Sequence, residues 1–237
     1  MHPLDNPIWQ ALTTTHAGFA ETCNQARKFP REVSMLGAFS QPTPENYASL
    51  TSLVSPDERV GLFLPSLPDL PTPWIVVSAA PILQMICENG NSSSPSGFRS
   101  TPQFIRLAHA DVPEMLALAK LTKPGPFAAR TYEMGDYLGI RNAGILAAMA
   151  GERLRLPGYT EISAVCTHPD HLGHGYASAL MAELMDRIRS RGEYPFLHVR
   201  PENTRAIQVY KRLGFKQRAS FYYAVVHHRA EQTAPQR

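Results

Sequence analysis

Apolar positions in the second half of the chain recur first with the period of a strand and then with that of a helix. Residues 162–166 form an apolar run that predicts a buried strand. Apolar side chains then share one helical face at Ala177, Leu180, Met181, Leu184 and Ile188. Between them lies a polar turn and the stretch HLGHGYA, residues 171–177. The pattern therefore predicts a strand, a glycine-rich loop and a helix in direct succession.

The same reading predicts the other elements. In the first part of the chain it gives helices after Asn6-Pro7 and over 44–53, and short strands over 60–64, 74–77 and 82–87. Downstream it gives a strand over 104–107, a helix over 112–122 and a short helix over 130–134. A hairpin over 137–141 with 145–156 follows. After the strand, loop and helix described above come a strand over 195–199, a helix over 203–213 and two last strands, at 215 and over 221–226. This order predicts an α/β (α+β) fold, a mixed sheet with helices on both faces.

The stretch NSSSPSG, residues 91–97, consists of polar, proline and glycine positions that cannot build a core. We predict a linker there, dividing the chain into an N-terminal α/β unit (1–98) and a second domain (99–237). The first unit contains no glycine-rich strand-to-helix junction and no cluster of acids, histidines or cysteines.

Composition narrows the class of protein. Among 237 residues 43% are hydrophobic and 18% charged, as in ordinary globular proteins. A net charge of +3 is too small to indicate a nucleic-acid partner. The start of the sequence has no signal-peptide pattern and no stretch is long enough to span a bilayer, so we expect a cytoplasmic protein without membrane contact. The three cysteines, Cys23, Cys87 and Cys166, are far apart and are interpreted as free thiols.

The glycine-rich loop has a chemical interpretation and a purely structural one. The first amides of a helix have no partner within the helix, and its dipole favours an anion, so glycines before a helix can form a phosphate site. Alternatively, Gly173 and Gly175 serve only the bend between strand and helix.

Three segments together resemble the GNAT superfamily of acyl-CoA-dependent N-acyltransferases, in particular its glycine N-acyltransferase-like branch. They are VCTHP (165–169) followed by GHGYA (173–177), LHVRPEN (197–203), and AIQVYKRLGF (206–215). They occur in the family's order and spacing, and the resemblance covers about residues 103–227. Leu172 departs from the pattern, which usually has Gln or Arg there. The resemblance implies a mostly antiparallel sheet flanked by helices, with the first unit as a degenerate GNAT-like half.

The resemblance also implies a site for acetyl-CoA. The backbone beside the strand would pair with the pantetheine arm, the loop amides would hold the pyrophosphate, and residues of the following helix would contact the donor. The implied cofactor-binding residues are Val165, Cys166, Thr167, Leu172, Gly173, His174, Gly175, Tyr176, Ala177, Ser178, Asn203, Ala206 and Tyr210. An N–H group within 164–166 is a candidate oxyanion donor.

Two residues are implied as catalytic. Glu161 lies where many family members place a general base, although an ion-paired structural Glu is an equal alternative. Tyr210 matches the tyrosine that donates a proton to the departing sulfur, the alternative being a buried aromatic of an amphipathic helix.

For the acceptor, a primary amine on a small molecule or peptide, Tyr132, Glu133 and Tyr137 are predicted wall residues. No metal is predicted, although His168, His171 and His174 recur at three-residue intervals.

The sequence thus favours an acetyl-CoA-dependent N-acetyltransferase that works by direct attack in a ternary complex. A catalytically silent acyl-CoA sensor and a plain interaction protein stay open. So do the acceptor's identity, a homodimer, and whether the first unit shapes the acceptor site.

Overall fold

We describe a computed structural model of the chain, covering residues 2–56, 58–67, 69–88 and 102–229. The linker predicted over 91–97 lies outside the described residues, so the division into two domains stays a prediction.

The described residues of the first half contain two short α-helices and five strands. The helices are α1 (Pro7–Thr13) and α2 (Pro44–Thr51). Each has proline in its first turn and a polar cap: Asn6 accepts from the Trp9 amide, and Thr43 from the Asn46 amide. The strands are β1 (Glu21–Cys23), β2 (Ala26–Lys28), β3 (Gly37–Phe39), β4 (Val60–Leu64) and β5 (Trp74–Ile86).

The prediction of two short strands over 74–77 and 82–87 is wrong, because β5 is continuous. Pro81, which interrupts the apolar pattern, pairs with Tyr222 of the last strand. On the other edge of β5 the neighbouring strand pairs only with residues 83–86, so that edge is open beside the proline.

From residue 102 to 229 the structure contains three α-helices and six strands. The helices are α3 (Val112–Thr122), α4 (Tyr176–Ser190) and α5 (Thr204–Arg212), and the predicted short helix is a 3₁₀ turn over Thr131–Met134. The strands are β6 (Ile105–Arg106), β7 (Tyr137–Asn142), β8 (Ile145–Leu156), β9 (Tyr159–Thr167), β10 (Tyr194–Val199) and β11 (Lys216–His228). The two predicted last strands are one, since the polar stretch 216–220 also pairs with β5.

The main sheet has eight strands in the order β4-β11-β5-β10-β9-β8-β7-β6. Every neighbouring pair is antiparallel except β9 with β10. The predicted mixed, mostly antiparallel sheet is confirmed. Strands from both predicted units belong to it, and β5 of the first unit lies between β10 and β11 of the second.

Helices cover both faces of this sheet. The apolar side of α4, with Leu180 and Leu184 fully buried, packs on one face together with α5. On the other face Ile8 and Leu12 of α1 pack against Leu154 and Phe196, and Met115 of α3 packs nearby against Ala164. In the part of the chain that the structure describes, no helix is long and apolar enough to cross a membrane.

Candidate active site

The two parallel strands β9 and β10 separate after a short region of pairing. They pair at three positions, from Tyr159 opposite Tyr194 to Glu161 opposite Phe196. Beyond Glu161, β9 continues to Thr167 and β10 to Val199, but the two strands no longer pair with each other. The divergence leaves a V-shaped gap in the sheet, which is part of a cleft of about 970 Å³.

The cleft brings together nearly all the residues predicted to bind the donor. The segments of β9, the glycine loop, the start of α4 and one side of α5 line it. Of the predicted cofactor residues His174 alone is not part of the lining; its ring stacks on Tyr176 with centroids 5.4 Å apart. The predicted residues that do line it are Val165, Cys166, Thr167, Leu172, Gly173, Gly175, Tyr176, Ala177, Ser178, Asn203, Ala206 and Tyr210.

A bulge in β9 opens backbone groups toward the gap. Ser163 pairs with Gly151 of β8 and Cys166 with Met149, so Ala164 and Val165 have no partner in that register. Ala164 adopts φ +53°, the left-handed region that a residue with a side chain rarely occupies. Both residues line the cleft. The predicted oxyanion donor therefore lies in a segment that is released from the β8 ladder.

The glycine loop has the backbone conformation that glycine is suited to. Gly173 has φ +84° and Gly175 has φ +76°. A Cβ atom at Gly173 would meet nothing within 4 Å, so conformation and not space explains the glycine. Gly175 is the N-cap of α4 and no side chain caps this helix, which leaves its first amides open to a ligand. Leu172, the departure from the family pattern, is 49% exposed.

Neighbouring histidines in this loop do not form a metal site. The His174 ring nitrogen Nδ1 lies 3.1 Å from the carbonyl of His171. Among the residues that the structure describes, no group of three or more His, Cys, Asp or Glu side chains could hold a metal ion.

Helix α5 supplies a cap and a phenol. The Asn203 side chain accepts a hydrogen bond from the Ala206 amide, 3.2 Å away, as predicted for a cap. Burial raises the pKa of Tyr210 to about 12, so its hydroxyl keeps its proton at neutral pH. On the facing strand, burial raises the pKa of the Cys166 thiol to about 11, which agrees with a core thiol and not a nucleophile.

Glu161 lies at the point where β9 and β10 separate, but it is ion-paired and has no exposed surface. Its two oxygens accept from Nε and Nη2 of Arg153 at 2.9 and 2.6 Å, and Oε1 is 2.7 Å from Nδ1 of His198. Burial by itself would raise the pKa of Glu161. The attraction of Arg153 and the hydrogen bonds from His198 and Arg153 outweigh it and lower the pKa to about 2. Both carboxylate oxygens are thus engaged by Arg153 and His198, and the role of Glu161 as a general base stays a prediction.

This ion pair belongs to a longer hydrogen-bonded network that reaches from the interior to the surface. Gln84 of β5 lies with its Nε2 atom 3.2 Å from Nε2 of His198 and donates to the carbonyl of Leu4 at 3.0 Å. Its Oε1 atom accepts from Arg218 at 2.8 Å. Arg218 in turn pairs with Asp5. The network links the beginning of the chain to the vertex of the cleft.

The predicted acceptor wall does not line the cleft. Tyr137 is 1% exposed and packs against Gly151, and burial raises its pKa. Glu133 pairs with Arg130 at 2.8 Å, and the Tyr132 hydroxyl is 3.3 Å from His109. These three side chains are held by other contacts, and their place in an acceptor site stays a prediction.

The sequence-based prediction missed the side chains that line the cleft near its vertex. They are Phe63, Ile82, Arg153, His198 and Tyr223. They come from five different strands, and local patterns do not reveal which strands lie side by side. Arg153 did carry a signal, because it and Glu152 are charged residues inside a strand that is buried from Leu146 to Leu154.

Comparisons with known proteins agree with this geometry. The model of the FR47-like protein family matches residues 137–224. A crystal structure of a GNAT-family acetyltransferase from Novosphingobium aromaticivorans is 34% identical, with TM-score 0.87, over 97% of this chain and all of that one. A GCN5-related N-acetyltransferase from Kribbella flavida shares the fold, with TM-score 0.62 and 16% identity over 92% of this chain and 95% of that one.

One curated relative is N-alpha-acetyltransferase RimI of Mycobacterium tuberculosis. It is 34% identical over 100 residues, which are 39% of this chain and 62% of the relative. The match to the Novosphingobium protein extends over nearly all of this chain and all of that one. Together with the open β9–β10 pair and the glycine loop, it defines the class of protein. The chain belongs to the GNAT family of acetyltransferases.

Proposed function

We propose that the protein is an acetyl-CoA-dependent N-acetyltransferase that transfers the acetyl group directly to an amine while donor and acceptor are both bound. The observation that carries this proposal is the cleft itself. One continuous cavity contains the gap between β9 and β10, the uncapped N-terminus of α4 and the Tyr210 side chain. The name of the RimI relative supports nitrogen as the acceptor atom.

The donor would be held mainly by backbone groups. Amides of residues 173–178 suit the pyrophosphate, because they combine unpartnered N–H groups with the positive end of a 15-residue helix. The free edge of β9 over 165–167 suits the amide-containing pantetheine arm. Since these contacts use the backbone, an exposed Leu172 does not prevent them.

In the reaction the nitrogen lone pair of a neutral amine attacks the thioester carbonyl carbon. A C–N bond forms, and the amides at the bulge in β9 stabilise the negative oxygen. When the C–S bond breaks, Tyr210 donates its proton to the sulfur. The nitrogen releases its extra proton to solvent, and Tyr210 regains one from there. Glu161 has no exposed surface and both its oxygens are occupied, so we assign it no proton transfer. Glu161 instead fixes Arg153 and His198 at the vertex.

The test measures thiol release from acetyl-CoA with a broad panel of amines. We expect release above hydrolysis with at least one amine. Tyr210→Phe should lower kcat by about 10²-fold, the usual loss for a general acid, while the KM for acetyl-CoA stays within about twofold. Arg205→Lys, which keeps the charge of another residue lining the cleft, serves as control. Release no faster than hydrolysis with every amine would overturn the proposal.

A silent acyl-CoA sensor is the second candidate, and the complete burial and ion pairing of Glu161 favour it. Within the described part of the chain, Glu202 is the one carboxylate that lines the cleft. A sensor would show a higher melting temperature with acetyl-CoA, but no turnover with any amine.

A further inference from the structure

The charges that line the cleft are mostly of one sign. Among the described residues, five basic side chains and one acidic side chain, Glu202, belong to the lining. The basic ones are Lys123, Arg153, Arg200, Arg205 and Arg212. A site for polyamines or other polycationic acceptors needs carboxylates to neutralise them, and this cleft offers the opposite charge.

Arg153 stands apart from the other basic residues in place and burial. It comes from β8, is 8% exposed, and lies beside Glu161 at the vertex of the V. The glycine loop, by contrast, follows the other end of β9. Arg153 is thus near the end of the cleft that lies away from the proposed phosphate site.

The guanidinium of Arg153 has N–H groups that are available for hydrogen bonds to a ligand. Its Nε and Nη2 atoms bind Glu161, while Nη1 has no hydrogen-bond partner within the described chain. Arginine presents five N–H groups in a rigid fork, so a second planar anion can bind on the remaining edge.

The polar neighbours of Arg153 in this network, His198 and Gln84, have their side-chain nitrogen and oxygen atoms already in hydrogen bonds. His198 is held on both ring nitrogens, Nδ1 facing Glu161 and Nε2 facing the Gln84 amide. Because Oε1 of Gln84 accepts from Arg218, its Nε2 is the group that faces His198 and must donate. The network therefore positions the guanidinium and leaves it as the polar group directed to a ligand.

Aromatic and aliphatic side chains complete this end of the cleft; the hydroxyl of Tyr223 is bound to Sδ of Met35. They come from three neighbouring strands: Phe63 of β4, Tyr223 of β11 and Ile82 of β5. The Phe63 ring lies 4.5 Å from the His198 ring and 5.8 Å from that of Tyr223, measured between centroids. Two of these strands belong to the N-terminal half, which therefore shapes the site.

We infer that the acceptor is an amine that also carries a carboxylate and an apolar side chain, as an apolar amino acid does. Arg153 binds the carboxylate through Nη1, and Phe63, Ile82 and Tyr223 contact the apolar group. Arg153 is thereby the residue that sets acceptor specificity. The inference rests on the proposed function and names the substrate class of the same site.

The first experiment compares matched acceptors on the unaltered protein. Phenylalanine and leucine are each assayed against their carboxamides, at a pH where all the amines are neutral. We expect kcat/KM to be roughly 10- to 100-fold higher for the acids, the usual effect of a hydrogen bond to a charged group. Equal values, or a preference for the amides or for spermidine, would overturn the inference while leaving the N-acetyltransferase proposal intact.

The second experiment needs no turnover, so it separates the two proposals. The melting temperature is measured with CoA plus N-acetylphenylalanine or its carboxamide. We expect the acid to raise it more than the amide does, even in a protein that proves to be a silent sensor. Equal shifts count against the inference.

A variant then assigns the effect to Arg153. Arg153→Lys keeps a charge opposite Glu161 but removes the fork, so the acid-to-amide ratio of kcat/KM should fall at least about tenfold. A purely structural role would lower both values and keep the ratio. Arg212→Lys, in the same cleft but on α5, should keep the ratio unchanged.

Discussion

Arg153 and Glu161 form a buried ion pair, and the stability of the fold depends on both partners being present. Both charges are removed from water, which costs several kcal/mol per ion, and only their mutual contacts and the His198 hydrogen bond offset this. Replacing one partner leaves the other charge buried and alone. The pair is therefore a structural requirement of the cleft, whatever else Arg153 binds.

Glu161→Gln should accordingly affect stability first. We expect the free energy of unfolding at pH 7 to fall by about 3 kcal/mol, because Arg153 loses its counter-charge. Urea denaturation measures it. Glu114→Gln, which breaks an exposed pair with Arg141, is the control and should cost less than about 1 kcal/mol. An unchanged stability combined with a large loss of kcat would restore Glu161 as the general base.

His16 makes the stability depend on pH. It is 3% exposed, and burial lowers its pKa from 6.5 to about 4, while Nε2 lies 3.1 Å from the Met134 carbonyl. The unfolded chain therefore binds a proton at a pH where the folded protein does not. The stability that His16 contributes is complete above pH 6.5 and is lost as the pH falls toward 4.

From pH 7 to pH 5 this loss amounts to about 2 kcal/mol. His16→Gln keeps an N–H donor for Met134 but cannot be protonated, so its unfolding free energy should fall correspondingly less over that range. Denaturation curves at both pH values measure the difference. Identical slopes for the two proteins would contradict the assignment to His16.

At the scale of elements, local patterns predicted the strand, loop and helix around residues 162–188 well. Glycines, caps and apolar spacing are properties of neighbouring residues, so they can be read from the sequence. The bulge at Ala164 could not be predicted, because it depends on the register between β8 and β9. The continuity of β5 through Pro81 depends in the same way on its pairing with β11.

The glycine loop permits a matched comparison between conformation and binding. Gly173 and Gly158 have φ of +84° and +80°, and a Cβ atom would meet nothing within 4 Å at either. Gly173→Ala and Gly158→Ala should each cost about 1–2 kcal/mol of stability. Of these two glycines only Gly173 lines the cleft, so only the Gly173→Ala variant should weaken acetyl-CoA binding, by about tenfold in calorimetry. Equal affinities for the two variants would exclude the loop from the donor site.

At the scale of the molecule, the sheet connects segments that are far apart in sequence. The sequence indicated the segments that form the main sheet, but it missed β1, β2 and β3. It also did not indicate that β5 lies between β10 and β11. Such neighbours follow from packing of the entire core, and for the same reason Phe63, Ile82 and Arg153 could not be grouped into one site beforehand. Residues 1–98 and 99–237 each supply strands to a single sheet.

This arrangement predicts that residues 99–237 do not fold alone. Without β5, both β10 and β11 lose a neighbour, and Met85 is missing from the core under α4. We expect the isolated fragment to be insoluble or to show no cooperative unfolding, and co-expression with residues 1–98 to restore a soluble complex. A fragment 99–237 that unfolds cooperatively and binds acetyl-CoA would refute this.

The position of β5 also has a consequence for biosynthesis. Ribosomes make the chain from its N-terminus, so β4 and β5 emerge long before the strands that flank β5. Until β10 and β11 follow, the long apolar strand β5 has two open edges, which are prone to aggregate. The nascent chain is therefore expected to bind a chaperone through β5 while residues 99–237 are being translated, and to release it when β11 closes the sheet.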